Sequence, residues 1–202
     1  APIDAGHEQN QSNISIQEAY NNFQHIFPGH PQGDHLENGE EGCDGGQGRS
    51  HFPGVYREAG QCGNLPSGEA YIAPLEDGVN GEMIVDGSMV GIGKLDAPLK
   101  FVIKDGKLQS ITGEKSEMLD VLLANDRNRT VAELGIGTNE AAILNGIILE
   151  DEKVYGTVHV AFGTNTSFGG VNKADCHMDG IILKPTLYLD DTLVIKDGEF
   201  QI

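Results

Sequence analysis

Residues 101–109 read FVIKDGKLQ, and the pattern in this stretch decides the fold class. Apolar and polar side chains alternate up to an Asp-Gly step at Asp105 and Gly106, which is typical of a half-buried strand that ends in a tight turn. Asp-Gly favours the type I′ turn, because both central residues of that turn need positive φ. Residues 194–201, VIKDGEFQ, repeat the pattern. Two β-hairpins are therefore predicted.

Similar short β runs, separated by Gly and Asp, continue through the chain from about residue 69. The predicted strands are 70–73, 82–86, 99–104, 107–112, 130–136, 146–150, 156–161, 180–184, 186–189, 192–196 and 199–202. A third Asp-Gly step, Asp86-Gly87, is also a hairpin signal. Helical spacing is found at 114–125 and, more weakly, at 139–144. The predicted class is α+β, β-rich, with twisted antiparallel or mixed sheets, hairpins and one or two helices.

The first 48 residues differ in composition from the rest of the chain. They are rich in Asn, Gln, His, Gly and Glu, and their four histidines are irregularly spaced. We predict a loosely ordered leader or arm over 1–48, with one short helix at 16–27. Residues 49–202 are predicted to form a single β-rich domain.

Charge and hydropathy exclude several classes of protein. The formal net charge is −18, which argues against nucleic acid as a partner, because phosphate contacts need clustered Lys and Arg. No apolar run approaches the ~18 residues of a membrane span. The H-E-x-x-H motif of zincins, the G-x-S-x-G nucleophile elbow and a glycine-rich phosphate loop are all absent from the sequence.

The residues that most suggest a function are His177, Asp179 and His159. His177 and Asp179 are two positions apart in a predicted β region, and residues i and i+2 of a strand point to the same face. An imidazole and a carboxylate then converge on one point, as metal ligands do. His159 lies in TVHVAF, residues 157–162, which alternates as a second strand. These three residues predict a metal site.

Carboxylates near predicted strand ends are further candidates. Glu133 is flanked by apolar residues in AELGIG, and a buried charge is costly unless it is paired or bound to metal. Glu69 follows Pro-Ser-Gly at the start of a predicted strand. Residues 150–152 are Glu-Asp-Glu and precede His159. On pattern alone, a solvated turn is at least as good an interpretation of this acidic cluster as a metal role.

Four segments of the sequence contain most of these candidate ligands. They are residues 63–74 (GNLPSGEAYIAP), 132–135 (AELG), 151–163 (with Asp-Glu followed by GTVHVAFG) and 177–179 (HMD). Taken together, they resemble the aminopeptidase T family of metallopeptidases. The resemblance covers residues 48–202, whereas 1–48 do not resemble that family's N-terminal domain. It implies a cytoplasmic enzyme that removes N-terminal residues from peptides through a water activated by two divalent metal ions, Zn, Co or Mn. The metal ligands it implies are Glu69, Glu133, Glu152, His159, His177 and Asp179. Glu76 is the candidate general base.

Two other functions remain open at this point. Ring-cleaving dihydroxypyridine dioxygenases resemble the same family, and His159, His177 and Asp179 would then form the two-His, one-carboxylate triad of a non-haem iron enzyme. Residues 163–168 lack the Tyr that the peptidases place there. A non-enzymatic, self-assembling filament-like subunit is the other alternative, with the 1–48 arm reaching a neighbour and β edges pairing between copies. A homo-oligomer, dimer or higher, is expected, and a secreted protein is the alternative location if the Ala1 start reflects processing.

Overall fold

The computed structural model describes residues 13–15, 50–52, 59–60 and 63–201, the first two ranges as backbone only. Its strands are β1 (Asn13–Ser15), β2 (Ser50–Phe52), β3 (Glu69–Ile72), β4 (Asn80–Val85), β5 (Ser88–Met89), β6 (Gly93–Lys94), β7 (Leu99–Lys104), β8 (Lys107–Thr112), β9 (Val131–Gly137), β10 (Val158–Gly163), β11 (His177–Ile182), β12 (Leu187–Leu189), β13 (Thr192–Lys196) and β14 (Glu199–Phe200). Two short α-helices, α1 (Ser116–Leu122) and α2 (Ile148–Asp151), and two 3₁₀ turns, Asp126–Arg129 and Thr166–Phe168, complete the described elements. The α+β, β-rich class is confirmed.

The strands form three sheets. The largest has the order β2-β3-β9-β10-β11-β5-β6, the second β1-β4-β7-β8 and the smallest β12-β13-β14. Every pairing between strands of the described ranges is antiparallel. Strands β3, β9, β10 and β11 are consecutive neighbours in the largest sheet. Side chains on one face of these four strands are therefore brought close together.

The core lies between the two larger sheets. Phe101 of β7 and Phe162 of β10 stack across it, with ring centroids 5.6 Å apart and an interplanar angle of 14°. Val158 and Val160 belong to the same buried cluster. Burial of each such side chain contributes about 1.5–3 kcal/mol. Because strand side chains alternate, the intervening residues of β10, His159 among them, point to the opposite face of the sheet.

Two of the three Asp-Gly hairpins are confirmed. Asp105 and Asp197 have φ values of 49° and 51°, and the glycines after them 69° and 85°, as the type I′ turn requires. The prediction of a hairpin at Asp86-Gly87 is wrong. Asp86 accepts a hydrogen bond from the backbone N–H of Leu183 at 2.7 Å, and Gly87 donates one to the carbonyl of Ile181 at 2.9 Å. There the chain crosses from the four-stranded sheet to the largest one.

Two predicted elements between β9 and β10 are also wrong. The strand at 146–150 is instead the region of helix α2, whose buried Asp151 accepts hydrogen bonds from the backbone N–H groups of Asn145 and Gly146. The helix at 139–144 is a turn, in which Asn139 Oδ1 accepts from the N–H of Ala141 at 2.8 Å. A side chain that bonds two residues ahead replaces helical hydrogen bonding. The predicted helix at 16–27 lies outside the described residues.

Within the described residues, no helix has the length and apolar character needed to cross a membrane.

Candidate metal centre

One face of the largest sheet carries a cluster of histidines and carboxylates. In the strand register, Ala161 of β10 lies between Glu133 of β9 and Asp179 of β11, and Gly163 pairs with His177. His177 and Asp179 are on one strand, β11, and share a face, as predicted from their spacing.

Glycine at position 135 makes room for the imidazole of His159. The two residues are paired across β9 and β10. A Cβ atom built on Gly135 would lie 1.9 Å from His159 Nε2, far closer than two heavy atoms can approach. The imidazole therefore lies over the backbone of β9, in space that any side chain at position 135 would fill.

Glu133 lies between the two histidines and contacts both. Its Oε1 is 3.3 Å from His159 Nε2, and its Oε2 is 3.1 Å from His177 Nε2. Asp179 Oδ2 is 3.6 Å from the same nitrogen of His177. Glu133, His177 and Asp179 form one group whose ligand atoms lie within 4.8 Å of one another.

A second group of potential ligands consists of Glu69, Glu152 and His159. His159 Nε2 is 3.5 Å from Glu69 Oε2 and 4.0 Å from Glu152 Oε2. Lys153 adjoins this group, with its Nζ 2.8 Å from Glu69 Oε1 and 3.0 Å from Glu152 Oε1. Glu152 follows helix α2, so the acidic stretch that precedes His159 contributes to the centre rather than forming only a solvated turn.

The structure thus brings together all six residues predicted as metal ligands. They form two groups, which are connected because Glu133 contacts His177 in its own group and His159 in the other. Their roles as ligands stay a prediction. The triad of His159, His177 and Asp179 is divided between the groups. The centre fits a cation. Asp179 Oδ1 is buried without a hydrogen-bond partner among the described residues. Such an orphaned oxygen is costly unless a ligand satisfies it.

His177 is oriented by the loop that follows β10. Its Nδ1 donates to the carbonyl of Thr164 at 2.8 Å, so Nε2 is the nitrogen that faces Glu133 and Asp179 and that loses its proton when the ring becomes neutral. Phe168 packs edge-on against the ring, with centroids 5.8 Å apart, and also against Tyr71 at 5.4 Å. The His177 side chain is 29% exposed, whereas that of His159 is fully buried. The centre therefore opens to solvent beside His177.

The two imidazoles hold positive charge in the metal-free protein. Burial lowers the pKa of His159, but the hydrogen bond to Glu133 and the charges of Glu69, Glu133 and Glu152 outweigh it and raise that pKa to about 9. Burial likewise opposes the charge on His177, yet Asp179 and Glu133 raise its pKa to about 11.

Among the carboxylates of the centre, the pKa of Glu133 is lowered and the pKa values of Glu152 and Glu69 are raised. Burial disfavours the charge on Glu133, but the hydrogen bonds and charges of the two imidazoles prevail and hold its pKa at about 2. Burial, followed by the charge of Asp179, raises the pKa of Glu152 to about 7. Burial also raises the pKa of Glu69, although His159 and Lys153 act against it.

Metal affinity is therefore expected to rise with pH. A metal ion binds neutral imidazole, so an ion at His177 must displace a proton that is held up to pH about 11. Release of one proton raises the apparent affinity about tenfold per pH unit. Titration calorimetry with Co²⁺ between pH 6 and 8, in buffers of different ionisation enthalpy, measures both the affinity and the protons released. A pH-independent affinity without proton release would contradict the charged state of His177.

Glu76, predicted as general base, has a structural role in the described contacts. Its Oε1 accepts hydrogen bonds from the backbone N–H of Val171 at 2.7 Å and from Asn165 Nδ2 at 3.1 Å. Burial acts to raise its pKa, but these hydrogen bonds lower it overall. Glu76 thus holds the loop whose Thr164 carbonyl orients His177.

Three residues of the centre were not identified by reasoning from the sequence. Lys153 follows three acidic residues and looks like part of a solvated turn, yet its side chain is fully buried. Gly135 has a signal only once its partner strand is known. Thr164 contributes a backbone carbonyl, which no side-chain pattern reveals.

Comparison with known proteins gives a family match over residues 45–202, to the family described as "NicX: 2,5-dihydroxypyridine 5,6-dioxygenase". A curated relative, the 2,5-dihydroxypyridine 5,6-dioxygenase of Pseudomonas putida KT2440, is 26% identical over 167 residues, 72% of this chain and 46% of the relative. The chain thus spans about half the length of the curated relative that it matches.

Two solved structures share the fold. The 2,5-dihydroxypyridine dioxygenase of Pseudomonas putida KT2440 has a TM-score of 0.60 at 22% identity, over 65% of this chain and 43% of that one. AmpT from Thermus thermophilus has a TM-score of 0.52 at 18% identity, over 78% of this chain and 44% of that one. At these identities the likeness is one of fold.

The assignment to the aminopeptidase T family, and with it the hydrolase activity on peptides, is wrong, because the family match and the curated relative are dioxygenases. The motifs behind the assignment are sets of metal ligands, and imidazole and carboxylate donors serve hydrolytic and oxidative metals alike. A dioxygenase family still implies a metal cofactor, and the structure contains two groups of potential ligands for one. A pair of Zn, Co or Mn ions has no support.

Proposed function

Since this chain belongs to the NicX family of 2,5-dihydroxypyridine 5,6-dioxygenases, we propose that its histidine–carboxylate cluster is the iron centre of a ring-cleaving dioxygenase. The substrate class is a hydroxylated pyridine. The observation that carries the proposal is the family match over residues 45–202, a range that contains every residue of the cluster. The chain covers 46% of the curated relative, so the activity of the whole protein is part of the proposal.

The residues that would hold the iron are Glu133, His177 and Asp179. Imidazole nitrogen and carboxylate oxygen are ligands that Fe²⁺ accepts in non-haem oxygenases. The buried Oδ1 of Asp179, which has no hydrogen-bond partner among the described residues, supports a cation at this position. When bound, iron supplies the one-electron chemistry with O₂ that amino-acid side chains lack.

The surrounding residues orient the ligands and restrict access to them. The Thr164 carbonyl fixes the tautomer of His177, and Phe168 holds the plane of its ring. The exposed edge of His177 gives a substrate its side of approach. Glu152, with a pKa of about 7, can take up a hydroxyl proton from a hydroxypyridine at its Oε2 near neutral pH.

Iron-loaded protein is expected to consume oxygen when 2,5-dihydroxypyridine is added. Because a dioxygenase incorporates both oxygen atoms, one O₂ should be consumed for each ring opened. An oxygen electrode measures the O₂ consumed, and the loss of the ring's ultraviolet absorbance measures the rings opened. His177→Ala removes a proposed ligand. Loss of a residue that merely supports a ligand costs up to about 100-fold in metal affinity, so loss of the ligand itself should lower iron affinity and oxygen uptake by more than that.

Glu82→Gln is the matched control, because Glu82 lies outside the cluster and forms an exposed ion pair with Lys100. This variant should retain iron and oxygen uptake. Protein that binds iron in equimolar amount, yet consumes no oxygen with any dihydroxypyridine isomer, would contradict the proposed reaction. Protein that binds no iron would contradict the centre itself. The homo-oligomeric state stays a prediction.

A further inference from the structure

Lys153 is a fully buried cation beside the metal centre. Its side chain has 0% exposure, which is rare for lysine unless its charge is paired. The turn that carries it is held by backbone hydrogen bonds, from Lys153 N–H to the Glu150 carbonyl and from Asn139 N–H to the Lys153 carbonyl, both 2.9 Å. The position of this ammonium group is therefore built into the chain between helix α2 and β10.

The ammonium group contacts the two carboxylates of the second ligand group. Nζ is 2.8 Å from Glu69 Oε1 and 3.0 Å from Glu152 Oε1. Neither approach is a well-aligned hydrogen bond, so the contact is one of charge. The other oxygen of each carboxylate faces His159, at 3.5 Å and 4.0 Å. Each carboxylate of this group thus already has a cation within contact distance.

We propose that Lys153 is an internal cation that takes the place of a second metal ion in the Glu69–Glu152–His159 group. A divalent ion placed between these carboxylates would lie close to a fixed positive charge in a dry environment, where the repulsion is strong. Glu69 and Glu152 in turn need the ammonium group, because buried charges are stable only when paired. The centre consequently holds a single metal ion, at Glu133, His177 and Asp179.

The role of Lys153 rests on the metal centre proposed above but not on ring cleavage. Metal stoichiometry is measured without substrate or oxygen. A protein that binds one ion but opens no ring would contradict the reaction and leave the role of Lys153 intact. A protein that opens the ring with two ions bound would contradict only the proposed role of Lys153 and would leave the proposed reaction intact.

The test is the number of Co²⁺ ions bound by the full chain, measured by titration calorimetry and by elemental analysis after desalting. Wild-type protein should bind one ion. Lys153→Met keeps the length of the side chain and removes its charge, so the freed carboxylates should recruit a second ion. Lys100→Met is the matched control, because Lys100 is an exposed lysine paired with Glu82, and this variant should bind one ion.

Two ions in the wild-type protein, or one ion in a folded Lys153→Met variant, would overturn the role of Lys153. Circular dichroism establishes whether the variant folds. Anomalous scattering from crystals of the Co²⁺-loaded wild-type protein gives a test that needs no variant. One peak beside His177 and Asp179 supports the role, and a second peak among Glu69, Glu152 and His159 overturns it.

Discussion

Replacing Gly135 by alanine is expected to weaken metal binding, because it displaces the imidazole that contacts the proposed ligand Glu133, and to lower the free energy of unfolding by about 1–3 kcal/mol, the usual cost of overpacking a buried site. The new Cβ would lie 1.9 Å from His159 Nε2 and 2.2 Å from its Cε1. Both strands are fully buried and paired in register, so neither backbone has room to withdraw. The imidazole must therefore leave its position against Glu133.

Gly78→Ala is the matched control for this experiment. Gly78 is exposed, and a Cβ there would meet nothing closer than Leu75 Cβ at 3.3 Å. Chemical denaturation gives the free energy of unfolding of each variant, and titration with Co²⁺ gives the affinity. Wild-type affinity in a folded Gly135→Ala protein would show that His159 does not need the space above β9, and that the centre forms without it.

The parts of the fold that could be predicted from the sequence are those with a local cause. Strands β7 and β8 and the turn at Asp105 follow from alternation and from tolerance of positive φ. The pairing of His177 and Asp179 on one face follows from the two-residue period of a strand. The Asp86-Gly87 step has the same local signal, but there the contacts of Asp86 with Leu183, 97 residues away, decide the conformation.

The rest depends on contacts that the sequence does not contain in local form. Lys153 is an ordinary lysine until the fold places it between Glu69 and Glu152, far from water. The 146–150 segment has the composition of a strand, but the buried carboxylate of Asp151 turns it into the start of a helix. The reaction class is the same kind of problem, because a set of histidines and carboxylates specifies a cation and not what the cation does.

Glu133→Gln should have the largest effect on the centre, because this residue contacts both histidines. The substitution keeps the shape of the side chain and removes the charge that lies 3.3 Å from His159 Nε2 and 3.1 Å from His177 Nε2. Removal of one partner from a buried charge pair costs about 3–5 kcal/mol, which is expected here at pH 6 in the metal-free protein. Metal affinity should fall by more than about 100-fold, since a proposed ligand is lost.

The pH dependence of the free energy of unfolding distinguishes the effect of the Glu133 charge from the effect of its packing. In the metal-free protein the pKa of His159 is raised from 6.5 to about 9, so its contribution is fully present below pH 6.5 and is lost as the pH rises through about 9. Glu133, lowered from 4.5 to about 2, contributes above pH 4.5 and loses its contribution as the pH falls through about 2. The wild-type free energy of unfolding should therefore decrease between pH 6.5 and 9.

In Glu133→Gln this decrease should be much smaller, because the pKa values of both imidazoles fall toward the ordinary 6.5 once the charge between them is removed. Denaturant titrations across that pH range, with NMR titration of the histidine Cε1 protons, measure the two effects in parallel. The surface variant Glu82→Gln should keep the wild-type slope, since exposed pairs contribute only about 0–1 kcal/mol. An unchanged slope in Glu133→Gln would mean that other carboxylates, Glu69 and Asp179 foremost, hold the histidines charged, and the two ligand groups would then be independent rather than joined through Glu133.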